Sequence, residues 1–262
     1  MTEHGTRLDQ MRAQAPLVHN ITNYVAMNIM ANVLLAAGAS PAMVHAHAEV
    51  SEFAGLAQAL TVNIGTADPD WVKAMEMAAQ VMAEAGRPWV LDPVGVGATR
   101  FRQEACAGLV ALRPTIIRGN ASEILALAGT AATGRGADAA DSVAAAEDAA
   151  QALAQRSGAV VAVSGPEDFV TDGQQAFRVA NGHALMPRIT ALGCSLNGII
   201  AAFAAVGPAL PATVSALAYY GLAGEQAGAR ADGPGSFQPA FLDALYNMTP
   251  QALDTGAQVQ AA

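Results

Sequence analysis

The sequence contains little charge, few aromatic rings and almost no cysteine. Among its 262 residues, 13% are charged, 5% are aromatic and two are cysteines, Cys106 and Cys194. Two cysteines are too few for a disulfide framework or a zinc site built on cysteine. With 53% hydrophobic residues, the composition also excludes a disordered or fibrous chain. The length is sufficient for one large α/β domain or two small ones.

Basic residues and long apolar segments are scarce too. The chain has 13 Lys and Arg against 22 Asp and Glu, a formal net charge of −9. Nucleic-acid-binding proteins normally present a basic face, so we expect no nucleic-acid partner. The apolar run after Gly198 meets Gly207 and Pro208 too soon to span a bilayer, and the N-terminus lacks the apolar core of a signal peptide. We therefore expect no membrane contact and a cytoplasmic location.

Short apolar runs alternate with helical segments along most of the chain. The runs predicted as strands cover residues 42–44, 60–62, 88–91, 114–117 and 159–163, and a hairpin is predicted around 172–173. The segments predicted as helices cover residues 24–37, 49–60, 71–85, 143–155, 212–229 and 239–246. This alternation is typical of a buried parallel sheet built from βαβ units. We expect a surface loop over 129–141, a frayed tail over 250–262, and a single domain over 1–262.

Polar residues follow four of the predicted strands. Asn63, Asp92, Arg118 and Ser164 each come directly after an apolar run. In open parallel sheets ligands bind beyond the carboxyl ends of the strands. The repeated placement of polar residues there predicts a ligand site at that edge.

Two carboxylates, Asp92 and Glu123, lie at or just after these strand ends. A pair of carboxylates together with water and substrate phosphates suits Mg²⁺. Each residue also has a structural interpretation: Asp92 can cap a turn before Pro93, and Glu123 can stabilise the start of its own helix.

Three further side chains are candidates for ligand contact. Arg118 is a cation at a strand end in a chain poor in cations, which favours a phosphate contact over a solvated edge position. Met43 follows an apolar run and is a core residue by default, although methionine also lines adaptable pockets. Asn23 either caps a helix or bonds a polar ligand atom.

Residues 188–198 form a loop of small residues that runs into an apolar helix. A helix N-terminus offers unpaired N–H groups and the positive end of the helix dipole, so it attracts an anion. Cys194 would lie in the first turn, where that field lowers the pKa of a thiol. The alternative is a small buried cysteine in a packing helix.

Several longer motifs carry a family resemblance. In chain order they are PLVHNITNYVAMN from Pro16, GASPAM from Gly38, NIGT from Asn63, DPVGVGATRFR from Asp92, RGNASEI from Arg118, AVSG from Ala162 and LGCS from Leu192. With these motifs the sequence resembles the hydroxyethylthiazole kinases, a thiamine-pathway family in the ribokinase-like superfamily.

The resemblance implies a fold, a reaction and an assembly. The fold would be a three-layer α/β/α ribokinase-like fold with a mostly parallel central sheet. The reaction would be Mg²⁺-dependent transfer of the ATP γ-phosphoryl group to the primary alcohol of 4-methyl-5-(2-hydroxyethyl)thiazole. The assembly would be a homotrimer with sites at subunit interfaces.

The resemblance also implies roles for nine residues. By motif, they are Met43, Asn23 and Ala191 at the thiazole, Arg118 and Ser164 at ATP, Asp92 and Glu123 at Mg²⁺ and the phosphates, and Gly193 and Cys194, whose N–H groups form an anion hole. Cys194 stands where most superfamily relatives have a catalytic aspartate.

The chain departs from the family pattern at Ala191 and Leu192, where the family usually has Gly and Thr. If the backbone there requires a positive φ, alanine carries a penalty of roughly 1 kcal/mol. Two alternatives remain open at this point. One is a superfamily kinase for another alcohol, such as hydroxymethylpyrimidine, or an ATP-dependent repair hydratase or dehydratase, which usually keep the aspartate. The other is a catalytically silent nucleotide-binding or regulatory protein.

Overall fold

The computed structural model describes residues 3–129 and 139–262, with side chains throughout those ranges except at 139–144. The helices in these ranges are α1 (His4–Gln14), α2 (Met27–Ala37), α3 (Val50–Leu56), α4 (Pro69–Glu84), α5 (Arg100–Ala111), α6 (Ala121–Ala128), α7 (Ala139–Ser157), α8 (Leu192–Ala204), α9 (Ala209–Gly228), α10 (Pro234–Asn247) and α11 (Pro250–Gly256). The strands are β1 (Leu17–Ile21), β2 (Ser40–Ala42), β3 (Ala59–Asn63), β4 (Trp89–Asp92), β5 (Ile116–Asn120), β6 (Val160–Ser164), β7 (Asp168–Thr171), β8 (Ala176–Val179) and β9 (Val259–Ala261).

The strands of the described ranges form one mixed sheet in the order β2-β1-β3-β4-β5-β6-β7-β8-β9. Neighbours from β2 to β6 are parallel, and β7, β8 and β9 are added antiparallel. Helices connect the parallel strands β3 to β6, as parallel strands require a crossover. The hairpin predicted around 172–173 joins β7 to β8.

The sheet is covered by helices on both faces. Side chains of successive strand residues point to opposite faces, so the fully buried Ile116 and Ile117 enter different hydrophobic cores. One core contains residues of α1, α2 and α8 to α11, and the other contains residues of α3 to α7. The predicted three-layer α/β/α architecture with a mostly parallel sheet is confirmed.

Several helix boundaries differ from the prediction by a few residues, and two of these differences have a clear local cause. The helix expected from residue 24 begins at Met27 because the side chain of Asn23 accepts the Ala26 N–H and forms a turn first. It ends as predicted at Gly38, which has a φ of 102°. The helix expected over 49–60 ends at Leu56, because the apolar run at its end belongs to β3.

Two strand boundaries matter for the site. The strand expected over 42–44 is Ser40–Ala42, so Met43 follows the strand instead of lying in it. The strand expected over 114–117 is Ile116–Asn120, so Arg118 lies within β5.

The frayed tail expected over 250–262 is wrong. Thr249 caps α11 by accepting the Ala252 N–H on its hydroxyl, with Pro250 at the first helical position. Residues Val259–Ala261 then pair with β8 as the edge strand β9. The strand depends on a partner 80 residues earlier in the chain, which local sequence does not reveal.

The loop expected over 129–141 falls mainly on residues outside the described ranges. Its first residue, Gly129, ends α6 with a φ of 80°, and residues 139–141 belong to α7. Among the described helices, none has both the length and the apolar character needed to cross a membrane.

Candidate active site

The carboxyl ends of the parallel strands bring the predicted polar residues to one edge of the sheet. Asn63, Asp92 and Ser164 are the last residues of β3, β4 and β6, and Arg118 lies two residues before the end of β5. Asn63 is directly opposite Asp92 in the strand register. The predicted site depends on the convergence of these strand ends, and in the structure the strand ends lie at the same edge of the sheet.

Arg118 ties two strands to the start of α8. Its Nη2 donates to the Ser164 hydroxyl at 2.7 Å, and its Nη1 donates to the Gly193 carbonyl at 2.9 Å. The Nε of the same guanidinium is buried and has no acceptor among the described residues. The Arg118 side chain is therefore fixed by hydrogen bonds within the candidate site and is not a solvated edge residue.

The N-terminus of α8 has the properties of an anion site. Its first intrahelical bond runs from the Ser195 N–H to the Ala191 carbonyl at 2.9 Å. In the described part of the chain the N–H groups of Gly193 and Cys194 meet no acceptor, as expected for the first turn of a helix. These two groups can therefore donate to a bound anion.

Ala191 precedes this turn in a left-handed conformation, with φ 62° and ψ 9°. The backbone at Ala191 therefore has the positive φ under which an alanine is strained. A residue with a Cβ carries a penalty of about 1–2 kcal/mol in this region. Strain of this kind recurs at functional sites, where the surrounding structure holds the backbone in place.

The expectation that the helix dipole lowers the pKa of Cys194 is wrong. Burial and the nearby Asp92 carboxylate raise the pKa of the Cys194 thiol, against smaller opposing effects from Asn23, Asn63 and Arg118. Desolvation disfavours the charged thiolate more than the first helical turn stabilises it. The half-buried Cys194 is therefore a neutral thiol at neutral pH.

Asp92 is a nearly enclosed carboxylate. It is 2% exposed, and burial raises its pKa from 3.8 to about 7. Arg118 acts in the opposite direction, and Glu123 adds to the rise. Its Oδ2 accepts bonds from Asn63 Nδ2 at 2.6 Å and Asn197 Nδ2 at 2.7 Å, whereas no described residue donates to Oδ1.

Glu123 has a structural role that the sequence left open. Its Oε2 accepts the Asn120 N–H at 2.9 Å while the Asn120 side chain accepts the Glu123 N–H, which forms a capping box at the start of α6. Its Oε1 accepts the Gly95 N–H at 3.0 Å. Glu123 thus fixes both its own helix and the glycine loop after β4.

Two of the three residues expected at the alcohol substrate, Asn23 and Met43, occupy different surroundings. Asn23 is 6% exposed, caps the turn before α2, and donates through Nδ2 to Asn63 Oδ1 at 2.8 Å and to Cys194 Sγ at 3.5 Å. Met43 is half-buried and packs against the core that contains α8. Its loop is held by His19, whose Nε2 lies 2.6 Å from the Val44 carbonyl oxygen.

A cavity of about 700 Å³ opens beside Arg118 and the first turn of α8. Arg118, Ser164 and Gly193 line it together with Asn120 and Asp168. The other six predicted residues, which do not line this cavity, are Asn23, Met43, Asp92, Glu123, Ala191 and Cys194. Its volume is within the range of small-molecule and cofactor sites.

The sequence interpretation missed two residues that organise the site. Asn197 lies one helical turn after Cys194 and bonds Asp92. Its position within an apolar helix gives no sequence signal except that it follows Cys194 by three residues and so lies on the same helix face. Arg102, on α5, donates to the carbonyls of Ile64 at 2.8 Å, Gly65 at 2.6 Å and Val94 at 2.6 Å. It holds together the loops that follow β3 and β4.

Comparison with known proteins agrees with the geometry. The model of the hydroxyethylthiazole kinase family matches residues 8–251, nearly the whole chain. The chain belongs to the hydroxyethylthiazole kinase family. The family resemblance and the kinase class expected from the sequence are thereby confirmed.

Named relatives of this family are similar over their full length. A hydroxyethylthiazole kinase of Cereibacter sphaeroides (strain ATCC 17029 / ATH 2.4.9) is 67% identical over 258 residues, which cover 98% of both sequences. One from Rhizobium etli (strain ATCC 51251 / DSM 11541 / JCM 21823 / NBRC 15573 / CFN 42) is 60% identical over 257 residues, covering 97% of this chain and 100% of the relative.

Solved structures give the same family and a wider fold group. The hydroxyethylthiazole kinase protein of Pyrococcus horikoshii OT3 superposes with a TM-score of 0.93 at 40% identity and full coverage of both chains. The pyridoxal kinase of Staphylococcus aureus, solved with AMP-PCP and pyridoxal, gives a TM-score of 0.63 at 15% identity, covering 95% of this chain and 99% of its own. The second likeness concerns the fold alone, which the two chains share in spite of their low identity.

Proposed function

We propose that the chain transfers the γ-phosphoryl group of ATP to the primary alcohol of 4-methyl-5-(2-hydroxyethyl)thiazole, a reaction of thiamine biosynthesis or salvage. One observation carries the proposal: Arg118 bonds the Gly193 carbonyl, both residues line the cavity, and the first turn of α8 at this point carries the N–H groups of Gly193 and Cys194, which meet no acceptor among the described residues. Phosphoryl transfer depends mainly on positioning and charge neutralisation. The choice of the thiazole alcohol as the acceptor rests on membership of the hydroxyethylthiazole kinase family.

On the donor side, Arg118 and Ser164 bind ATP. They line the cavity and bond to each other, so the guanidinium is oriented before the nucleotide arrives. The N–H groups of Gly193 and Cys194 hold the oxygens of the transferred group, where preorganised donors are most effective. The thiol of Cys194 stays protonated, so its backbone N–H contributes more than its sulfur.

On the acceptor side, Asn23, Met43 and Ala191 contact the thiazole alcohol. Asn23 is connected to the first turn of α8 through the Cys194 sulfur, and Ala191 precedes that turn directly. In the proposed arrangement the alcohol lies next to the phosphoryl group that it receives. The methyl group of Ala191 then shapes the alcohol side of the site.

Asp92 and Glu123 fit a Mg²⁺ ion bound together with substrate phosphates. Asp92 offers Oδ1, to which no described residue donates, and each Glu123 oxygen accepts a single backbone N–H. No group of three or more His, Cys, Asp or Glu side chains in the described ranges could hold a metal by itself, which agrees with an ion that relies on phosphates and water. When bound, the ion neutralises phosphate charge.

We also propose that residues 1–262 form one domain and assemble as a homotrimer with sites at subunit interfaces. The sheet supports a single domain, because β1 and β9, the first and last strands of the described ranges, belong to the same sheet. Tyr24 and Val25, which are 61% and 59% exposed, support the second part. These large side chains follow Asn23 and are suited to burial by another copy.

A coupled ATP assay tests the proposed reaction. We expect ADP release with the thiazole alcohol and little with hydroxymethylpyrimidine or pyridoxal, and EDTA should stop it. Arg118→Ala should reduce the rate, while Arg100→Ala, which removes an exposed ion pair with Glu104, serves as the matched control. Turnover of another alcohol alone would assign a different superfamily kinase, and ATP binding without turnover would indicate the silent nucleotide-binding alternative.

A further inference from the structure

Two buried asparagines, Asn63 and Asn197, donate to the carboxylate of Asp92, and a third, Asn23, donates to Asn63. Backbone groups determine the orientation of all three amides. The Asn63 Oδ1 accepts the Gly65 N–H at 2.9 Å, so its Nδ2 must face Asp92. The Asn197 Nδ2 donates to the Cys194 carbonyl at 3.1 Å, so the same nitrogen, 2.7 Å away, faces Asp92. Asn23 points its Nδ2 at Asn63 Oδ1, because its own Oδ1 accepts the Ala26 N–H.

These fixed orientations make the two oxygens of Asp92 different. Oδ2 receives two N–H bonds, from Asn63 on β3 and Asn197 on α8, whereas Oδ1 receives none from the described residues. The carboxylate is thus held at one oxygen from both sides. Oδ1 is the oxygen left to accept a bond from a ligand.

Asn197 lowers the stability of the folded protein at this position. It is 1% exposed, and its Oδ1 is buried without a donor in the described part of the chain. An unpaired buried acceptor lowers stability relative to an apolar side chain of similar shape. Its neighbours on α8, Ile199 and Ile200, are apolar and fully buried, so an apolar residue would suit this helix.

We propose that Asn197 is a positioning residue of the phosphoryl-transfer site, which couples the first turn of α8 to Asp92 through the two hydrogens of its Nδ2. One hydrogen reaches the Cys194 carbonyl and the other reaches Asp92 Oδ2. The distance between the anion-binding N–H groups and the carboxylate is thereby fixed. The inference rests on the proposed function and adds a residue that acts through Asp92 without touching substrate.

The direct test is removal of the Asn197 amide. Asn197→Ala and the nearly isosteric Asn197→Leu should each lower kcat by about tenfold or more, with KM for ATP and for the alcohol within about threefold of the wild type. Two variants are used because the apolar Leu beside Asp92 is the one at risk of not folding. Ser195→Ala is the matched control, since it removes an equally buried polar group from the same helical turn without touching Asp92.

A double-mutant cycle with Asp92→Asn separates positioning from general packing. If Asn197 acts through Asp92, Asn197→Ala in the Asp92→Asn background should change kcat by less than about twofold. Effects that multiply would overturn the proposal, as would a Ser195→Ala loss equal to that of Asn197→Ala, or wild-type kcat in both Asn197 variants.

A binding measurement keeps this result apart from the choice of substrate. Mn²⁺ bound in the presence of a non-hydrolysable ATP analogue, followed by electron paramagnetic resonance, should show an affinity about tenfold weaker in Asn197→Ala. This readout needs no turnover. Weakened Mn²⁺ binding in a protein that does not phosphorylate the thiazole alcohol would refute the proposed substrate and keep the positioning role, whereas unchanged Mn²⁺ affinity would refute the positioning role.

Discussion

Asn23 Nδ2 lies 3.5 Å from Cys194 Sγ, so a residue after β1 donates directly to the first turn of α8. The sulfur acts here as a weak hydrogen-bond acceptor. Burial raises the pKa of this thiol, which keeps it protonated near neutral pH. The contact therefore joins the expected alcohol-binding segment to the expected anion-binding turn without a charged sulfur.

The first prediction concerns the sulfur of Cys194. Cys194→Ser keeps an acceptor for Asn23 and the backbone N–H, so kcat should stay within about threefold of the wild type. Cys194→Ala keeps the N–H alone and should lower kcat moderately, by roughly tenfold at most. Steady-state kinetics of the two variants show whether the sulfur or the backbone N–H of Cys194 contributes more to catalysis. A loss of several orders of magnitude in both would mean that a thiolate carries the chemistry.

The second prediction concerns the strained backbone at Ala191. Glycine adopts a φ of 62° without penalty, so Ala191→Gly should raise the free energy of unfolding by about 0.5–1 kcal/mol and change KM for the alcohol but not for ATP. Arg113→Gly is the matched control, because Arg113 has a φ of 57° and lies outside the site. Denaturant unfolding should show both variants stabilised, with the kinetic change confined to the first. A less stable Ala191→Gly would contradict the strain.

The third prediction concerns the pH dependence of stability at Asp92. Its pKa is raised by burial from 3.8 to about 7, so between these values the folded state binds more protons than the unfolded state. Stability should therefore fall as pH rises from about 4 to 7. Asp92→Asn removes this loss. Its free energy of unfolding should exceed that of the wild type by up to roughly 4 kcal/mol at pH 8, and should not exceed it at pH 4. Urea titrations at both pH values provide the check, and an equal difference at both would refute it.

The fourth prediction concerns Arg118 and ATP. Arg118→Ala removes donors to Ser164 and Gly193 as well as a phosphate contact, so binding of a non-hydrolysable ATP analogue should weaken by about tenfold or more. KM for the alcohol should change less. Isothermal titration calorimetry measures the first effect directly, with Arg100→Ala as the surface control. Equal affinity in Arg118→Ala and wild type would remove Arg118 from the nucleotide site.

The fifth prediction concerns assembly. Light scattering at micromolar concentration should give about three times the chain mass of 26.5 kDa. Val25→Glu introduces a charge on an exposed apolar residue beside Asn23 and should shift the mass downward. Leu56→Glu, an equally exposed apolar residue on α3, is the control. A monomer mass for the wild type would end the proposal of shared sites.

The sequence predicts the edge of the sheet at which the candidate site lies, because parallel strands end at a common edge. This rule alone brings Asn63, Asp92 and Ser164 to one edge, and the structure has them at the ends of β3, β4 and β6. The strain at Ala191 can also be predicted from the sequence. Where the family usually has glycine, a residue with a Cβ is strained if the backbone has a positive φ, and Ala191 has one.

Other features depended on contacts that no local pattern contains. The pKa of Cys194 follows from burial by distant segments, which outweighs the helix terminus visible in the sequence. Asn197 lies among apolar residues of α8, and its partner Asp92 is 105 positions away. The strand β9 exists because β8 offers it an edge.

The guanidinium of Arg102 connects the loops after β3 and β4, and this connection restricts how the chain can vary. Its three acceptors are the carbonyls of Ile64, Gly65 and Val94. An insertion or deletion in either loop would move at least one acceptor out of reach, because hydrogen bonds tolerate only a few tenths of an ångström. The lengths of the two loops are therefore linked, and a viable change in one requires a compensating change in the other.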